Sequence, residues 1–149
     1  MNREIKFRGK PANKVDGVFK SDWYYGFLTP ASTILGESYA ICESKISEWW
    51  EFEANEVIAE TVGQFTGLYD KKGTPIYEGD IVDAWSGRHH ITRGIIRYEP
   101  PRFLIGLYDK KGKEFNGSWY LSPNAFGKDE LLEVIGNIHD NPELLNGTS

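Results

Sequence analysis

The chain has 149 residues and a formal net charge of −5. That length fits one domain, or a barrel-sized domain with a smaller companion. The negative charge argues against a general electrostatic grip on nucleic acid, so any such contact has to come from a local patch.

Hydrophobic residues make up 40% and charged residues 26%, the balance of a folded chain rather than a disordered one. Aromatic residues reach 14%, with 16 glycines. Many aromatics and many tight turns favour a β-rich fold over a helical bundle. Cys42 is the single cysteine and has no internal disulfide partner, which suits a reducing cytosol. The first ten residues hold no apolar run, so no signal peptide is expected. No stretch approaches the roughly 18 apolar residues of a membrane span. The expected location is the cytoplasm, without a membrane partner.

In chain order, Arg3 to Gly9 alternates, with Ile5 and Phe7 expected on one face and Glu4, Lys6 and Arg8 on the other. Trp23–Leu28 is a second expected strand, ended by Thr29-Pro30. Two further strands are expected at Ser32–Leu35 and Ser38–Glu43, turning at Gly36. The stretch from Lys45 to Val57 fits a helical stripe through Ile46, Trp49, Trp50, Glu53 and Val57. It also fits a strand through Trp50, Phe52 and Ala54, and strand is the reading taken. A composition shift near Val57 sets the expected division: a β-rich subdomain over 1–57 and a barrel over 58–149.

Beyond it the punctuation is regular. Asp70-Lys71-Lys72-Gly73 is a turn in which Asp bonds its own backbone two residues on and Gly takes a positive φ. The run Gly67–Gly73 recurs as Gly106–Gly112, read as one hairpin turn used twice. Strands are expected at Asp80–Trp85, Gly94–Tyr98, Phe103–Tyr108, Ser118–Leu121 and Leu132–His139. Leu132, Val134, Gly136 and Ile138 are expected on one face. Pro100-Pro101 separates two strands. Asn141-Pro142 reads as a cap and first helical position. It opens a single turn, a terminal clasp docked by Leu144 and Leu145.

Three blocks carry a family resemblance. They are Ile5–Arg8, then Thr61–Leu68 with Asp70, Gly73 and Ile76–Val82, and finally Glu133–Ile138 with Asn141–Leu145. Together they resemble the YopX family, small proteins of bacteriophages and prophages, over essentially the whole chain. The resemblance implies an SH3-like small β-barrel in the C-terminal part and a smaller β-rich N-terminal part, so the expected fold class is mainly β. It implies no established activity and supplies no catalytic residues. Family members often show Asp-Pro where this chain has Ile58-Ala59, which removes the expected cap of a short helical turn.

Few residues suggest chemistry. Adjacent His89 and His90 point to opposite faces of a strand and do not readily share one metal ion. Cys42 sits in an apolar alternation and reads as a small buried hydrophobe. No phosphate loop or nucleophile motif is present. The carboxylate pairs Glu51/Glu53 and Asp80/Asp83 read as solvated faces. The expectation is therefore no enzyme, no cofactor and no metal.

Charge patterning is more informative. Arg88, Arg93, Arg97 and Arg102 lie close in sequence, and arginine suits bidentate phosphate or carboxylate contacts. They are the expected contact to an anion, to nucleic acid or to another subunit. Glu43 to Glu60 is acidic, with Trp49, Trp50, Glu51 and Glu53 as an expected interface. Complementary segments point to a homo-oligomer, with the Glu-rich segment of one subunit near the Arg-rich strands of another. The leading expectation is a non-enzymatic binding or assembly module, self-associating or contacting a phage or host protein. A nucleic-acid accessory protein using the arginines comes second, and an enzyme of unrecognised type third.

Overall fold

The computed structural model describes residues 4–14, 16–18, 22–33, 36–44, 52–108, 114–120 and 130–146. The chain is mainly β and divides into two compact units, Met1–Phe65 and Thr66–Ser149.

The first unit holds β1 (Phe7–Gly9), β2 (Tyr24–Thr33), β3 (Gly36–Ser44) and β4 (Phe52–Val57). A 3-10 turn at Ala59–Thr61 leads into β5 (Gly63–Tyr69), which begins in this unit and ends in the next. The strand order is β4-β3-β2-β1-β5. Residues 58–65 are tied to β1 and its flank. Phe7 pairs Gln64, Arg8 pairs Gly63, and Lys10 N donates to Thr61 Oγ1. One face of the sheet packs Tyr24, Ile41 and Val57 with Phe7, Leu28 and Val62.

Several expectations change here. Ile5 is 56% exposed while Arg8 is buried, because β1 spans only three residues and Arg8 stacks its guanidinium 4.6 Å from the Trp23 ring. The two strands expected on either side of Pro30 are one. Pro30 sits inside β2 opposite Tyr39. Proline is tolerated there because β1 pairs only with Tyr24–Gly26, so the far edge of β2 at Pro30 has no β1 partner. Cys42 is half-buried rather than buried. Ile58 provides no side-chain cap to the 3-10 turn, as the loss of Asp-Pro implies. The part of Lys45–Val57 from Phe52 onward is strand, and Trp49, Trp50 and Glu51 lie outside the described residues.

The second unit contains β6 (Pro75–Tyr77), β7 (Asp80–Ser86), β8 (His89–Glu99), β9 (Arg102–Tyr108), β10 (Glu114–Tyr120) and β11 (Glu130–Asn137). The five-stranded order is β10-β9-β8-β7-β11: a four-strand meander, β7 to β10, with β11 returning beside β7. Val82, Ala84, Ile96, Ile105, Leu107 and Leu132 share a core face with Ile76 and Phe103. Ile81, Ile96 and Ile105 are fully buried, and each contributes about 2 kcal/mol of apolar burial.

Local chemistry explains the strand entries. Asp80 Oδ2 accepts from Tyr77 N at 2.8 Å, and Gly79 takes φ +86 between them. The carboxylate closes a tight turn, so Asp80 is buried rather than solvated. Asp70 Oδ1 accepts from Lys72 N and Thr74 N at 2.8 Å each, and Gly73 has φ +83, as the turn requires. Asp70 Oδ2 also reaches Val134 N at 3.0 Å, and Lys71 N donates to Leu132 O. This turn therefore occupies backbone groups on the outer edge of β11, an edge that would otherwise be open to pairing. Its sequence repeat at Asp109–Gly112 lies outside the described residues.

Pro100-Pro101 is the two-residue connection between β8 and β9, which pair up to Glu99 and Arg102. A bulge between Val134 and Gly136 breaks the alternation expected along β11, pairing Val134 with Val82 but Gly136 with Ile81. Gly136 thereby turns to the terminal clasp, a 3-10 turn at Pro142–Leu145. A Cβ at Gly136 would meet Asn141 Oδ1 at 2.6 Å and Leu144 Cδ1 at 2.9 Å. Asn141 does not cap this turn; its Oδ1 accepts from Asn137 N instead.

Candidate functional site

The arginines expected as one patch are distributed by the strand geometry. Arg88 lies in the turn before β8, and Arg102 opens β9 beyond the far end of β8. At a strand rise of about 3.3 Å per residue, the eleven residues of β8 put them on the order of 30 Å apart. Both are exposed. Arg93 and Arg97 lie on β8 itself and are only half-buried.

Register brings Arg93 into a polar row that crosses the sheet. Glu133 on β11 pairs with Asp83 on β7, Asp83 with Arg93 on β8, and Arg93 with Tyr108 on β9. Directly opposed residues share a face, so these four side chains lie on the side away from the Val82–Ile96–Ile105 core. Arg93 binds Asp83 bidentately, Nε to Oδ1 at 2.7 Å and Nη2 to Oδ2 at 3.0 Å. Its Nη1 donates to Leu144 O at 2.9 Å, tying the clasp to β8. The hydrogen bonds to Asp83 raise the Arg93 pKa further above its ordinary value. Asp83 is buried, not solvated.

The neighbours extend the row. His90 Nε2 is 3.2 Å from Asp83 Oδ1, and the His90 ring meets Trp85 edge-on at 5.2 Å. His89 and His90 are exposed residues of β8. Arg97 Nη2 donates to the Tyr108 hydroxyl at 2.9 Å. Glu133 is bridged by Lys71 at 2.5 Å and by Lys72. Those hydrogen bonds, Lys71 first, hold Glu133 below the ordinary carboxylate range, and the bond to Glu133 raises Lys72. Lys71 Nζ also lies 4.7 Å from the Trp85 ring centroid.

Sequence reasoning singled out Arg93 and Arg97 but missed their partners Asp83 and Tyr108. It also missed Lys71, Lys72 and Glu133. The period-two pattern of each strand was readable; the register that aligns one strand with the next was not. Glu53 is exposed on β4 of the first unit. Among the described residues, no group of three or more His, Cys, Asp or Glu side chains is placed to hold a metal ion. No helix of the described residues is long and apolar enough to cross a membrane.

The arrangement can bind through cations and aromatic edges. Its strongest polar contacts, Asp83–Arg93 and Glu133 with its two lysines, are made within the chain itself.

Comparison with known proteins adds the family. A solved structure, the crystal structure of protein EF1440 from Enterococcus faecalis, is similar at 23% sequence identity and TM-score 0.50. The match covers 97% of this chain and 99% of that chain. At that identity the likeness speaks for the fold alone. No curated protein matches the chain. The family model described as YopX protein matches residues 19–146. With most of its length covered by that model, the chain belongs to the YopX family.

Proposed function

We propose that this protein is a non-enzymatic binding or assembly module that acts through surface contacts and associates with copies of itself. In this reading it serves a phage or prophage in the cytoplasm of a bacterial host. The second unit is read as an SH3-like barrel, supported by the meander that its last strand closes beside β7.

The observation that carries the reading is the β8–β9 hairpin end. Tyr98 stands 41% exposed there, its ring 4.9 Å from Phe103, with exposed Arg102 on the paired strand. Tyrosine and arginine on a rigid hairpin are the residue types that anchor protein interfaces. The acidic segment around exposed Glu53 in a second copy supplies charge complementarity. The arginines at the two hairpin ends, Arg88 and Arg102, are the exposed members of the set.

Sedimentation velocity over a micromolar concentration series tests this. Wild type is expected to run as a dimer or larger species, and Arg102→Glu is expected to shift it toward monomer. Wild type that stays monomeric up to about 100 μM, where even weak specific pairs form, sinks the reading.

A further inference from the structure

The first unit carries a second surface, on the opposite side of its sheet from the Tyr24–Ile41–Val57 core. β1 and β2 are antiparallel, with Arg8 opposite Tyr25 and Phe7 opposite Gly26. The core face takes Phe7, Tyr24 and Leu28. The alternation therefore sends Lys6 and Arg8 from the β1 side, and Tyr25 and Phe27 from β2, to the other face. Trp23 and Lys10 join them: Arg8 and Lys10 lie 4.6 Å and 5.0 Å from the Trp23 ring centroid. A file of cations thus runs beside a file of aromatic rings.

The accessible part of this face is well defined. Phe27 is 60% exposed and Tyr25 42%. Lys6 and Lys10 are half-buried, while Arg8 and Trp23 are buried and anchor the cations. The two exposed rings are two residues apart on one strand, about 7 Å. The row beyond Phe27 is small and uncharged, since Phe27 pairs with Cys42 and Cys42 with Ala54. Among the described residues, two carboxylates stand at the margin: Glu4 lies 3.9 Å from Lys6, and Glu56 accepts from Asn13.

We infer that this face binds single-stranded nucleic acid. Successive bases stack on Phe27 and Tyr25, and Lys6 and Lys10 follow the phosphates. Open aromatic rings on a sheet with cations alongside are what a single strand needs, because every base offers a π-face and every linkage a negative charge. The chain's net charge of −5 does not oppose this, since the cations are local to one face. A duplex is not the expected partner, because its bases are already stacked on one another and offer no free face to the exposed rings. The inference rests on the reading of the protein as a surface-binding module and names its partner class. It does not require self-association.

The test is fluorescence anisotropy with labelled single strands of about 10 nucleotides, one site's length, in a DNA arm and an RNA arm, beside a duplex of the same sequence. Wild type is expected to bind the single strands and not the duplex. With two or three phosphates neutralised, the slope of log affinity against log salt is about −1.5 to −2. Phe27→Ala and Tyr25→Ala are each expected to weaken binding about tenfold or more. Lys6→Glu weakens it and flattens the salt slope, while Glu143→Gln, exposed in the other unit, leaves it unchanged. A preference for either arm supports the inference and names the strand. No binding at about 50 mM salt, equal binding of duplex, or full affinity in Phe27→Ala overturns it. Phe27 is exposed, so its loss leaves the fold intact, which circular dichroism verifies. If Phe27→Ala instead abolishes an oligomer without affecting nucleic acid, the face is a subunit contact and the inference falls. Monomeric wild type that still binds the single strand removes the self-association proposal and leaves this one standing.

Discussion

Arg93 and Asp83 face each other across β8 and β7, joined by two hydrogen bonds of 2.7 Å and 3.0 Å, and the same guanidinium holds the carbonyl of Leu144 at 2.9 Å. One arginine therefore fastens the end of the chain to the middle of the sheet. Removing it leaves Asp83 buried without its main partner. Arg93→Ala is expected to destabilise the protein by about 2–3 kcal/mol. Urea unfolding measures the loss, and a double-mutant cycle with Asp83→Ala is expected to return a coupling of about 1–2 kcal/mol. Hydrogen exchange at residues 141–146 should quicken in Arg93→Ala even under conditions where the sheet stays protected. An unchanged exchange rate there would show that the clasp is held by Gly136 packing alone.

Asp70 predicts the acid limb of stability. Burial pushes its carboxyl up, but hydrogen bonds from Thr74, Val134 and Lys72 outweigh it and lower the pKa below the ordinary 3.8. A carboxyl depressed by folding stabilises the native state above the unfolded pKa, and that contribution disappears as pH falls through the lower folded value. The Asp70 contribution is thus full above about pH 5, declines below about pH 4, and is gone only once the pH lies beneath the lowered folded value. Asp70→Asn is expected to lose about 2 kcal/mol at neutral pH, since an amide nitrogen cannot accept from Val134 N. Its stability should also fall less steeply below pH 4 than wild type in parallel urea titrations. Matching acid limbs would contradict the assignment.

Gly94 is fixed by close approach rather than by dihedral angle. A Cβ there would lie 2.3 Å from Ile105 Cγ2 and 2.7 Å from Gly106 O. Backbone cannot yield as a side-chain tip can. Gly94→Ala is expected to lower stability by about 3 kcal/mol, or to force β8 and β9 apart. Thermal unfolding tests it, with Gly67→Ala as the comparison. Gly67 has open space around its Cβ position and a φ of +86. Only backbone strain of about 1 kcal/mol is expected there.

Arg88 and Arg102 predict the opposite behaviour. Both are exposed at hairpin ends. Arg88→Glu and Arg102→Glu are expected to change stability by less than about 0.5 kcal/mol. Chemical denaturation decides this. A large loss in either would mark it as a fold residue like Arg93 and withdraw it from the contact surface.

Much of the fold was legible in the chain. The Asp70–Gly73 turn, the Gly79-Asp80 strand entry and the strands from Asp80 onward follow from local rules, because a turn needs particular residues and a strand a period of two. The strand at Pro30 was misread for the same reason: Pro is a breaker locally, and only its edge position in the sheet makes it harmless. The site was less legible. Arg8 looked solvent-facing until the Trp23 ring covered it, and Asp83 looked solvated until Arg93 met it across the ladder.

By itself the sequence determined a mainly β chain, its turns, most of its strands and its family blocks. Those depend on interactions within a few residues. The tertiary structure alone decided which arginine is committed to the fold, and that Lys6, Arg8, Tyr25 and Phe27 stand on one face. A strand's period says which residues share its own side. Register between strands far apart in the chain says which sides meet, and a single-residue shift or bulge, as between Val134 and Gly136, changes the answer.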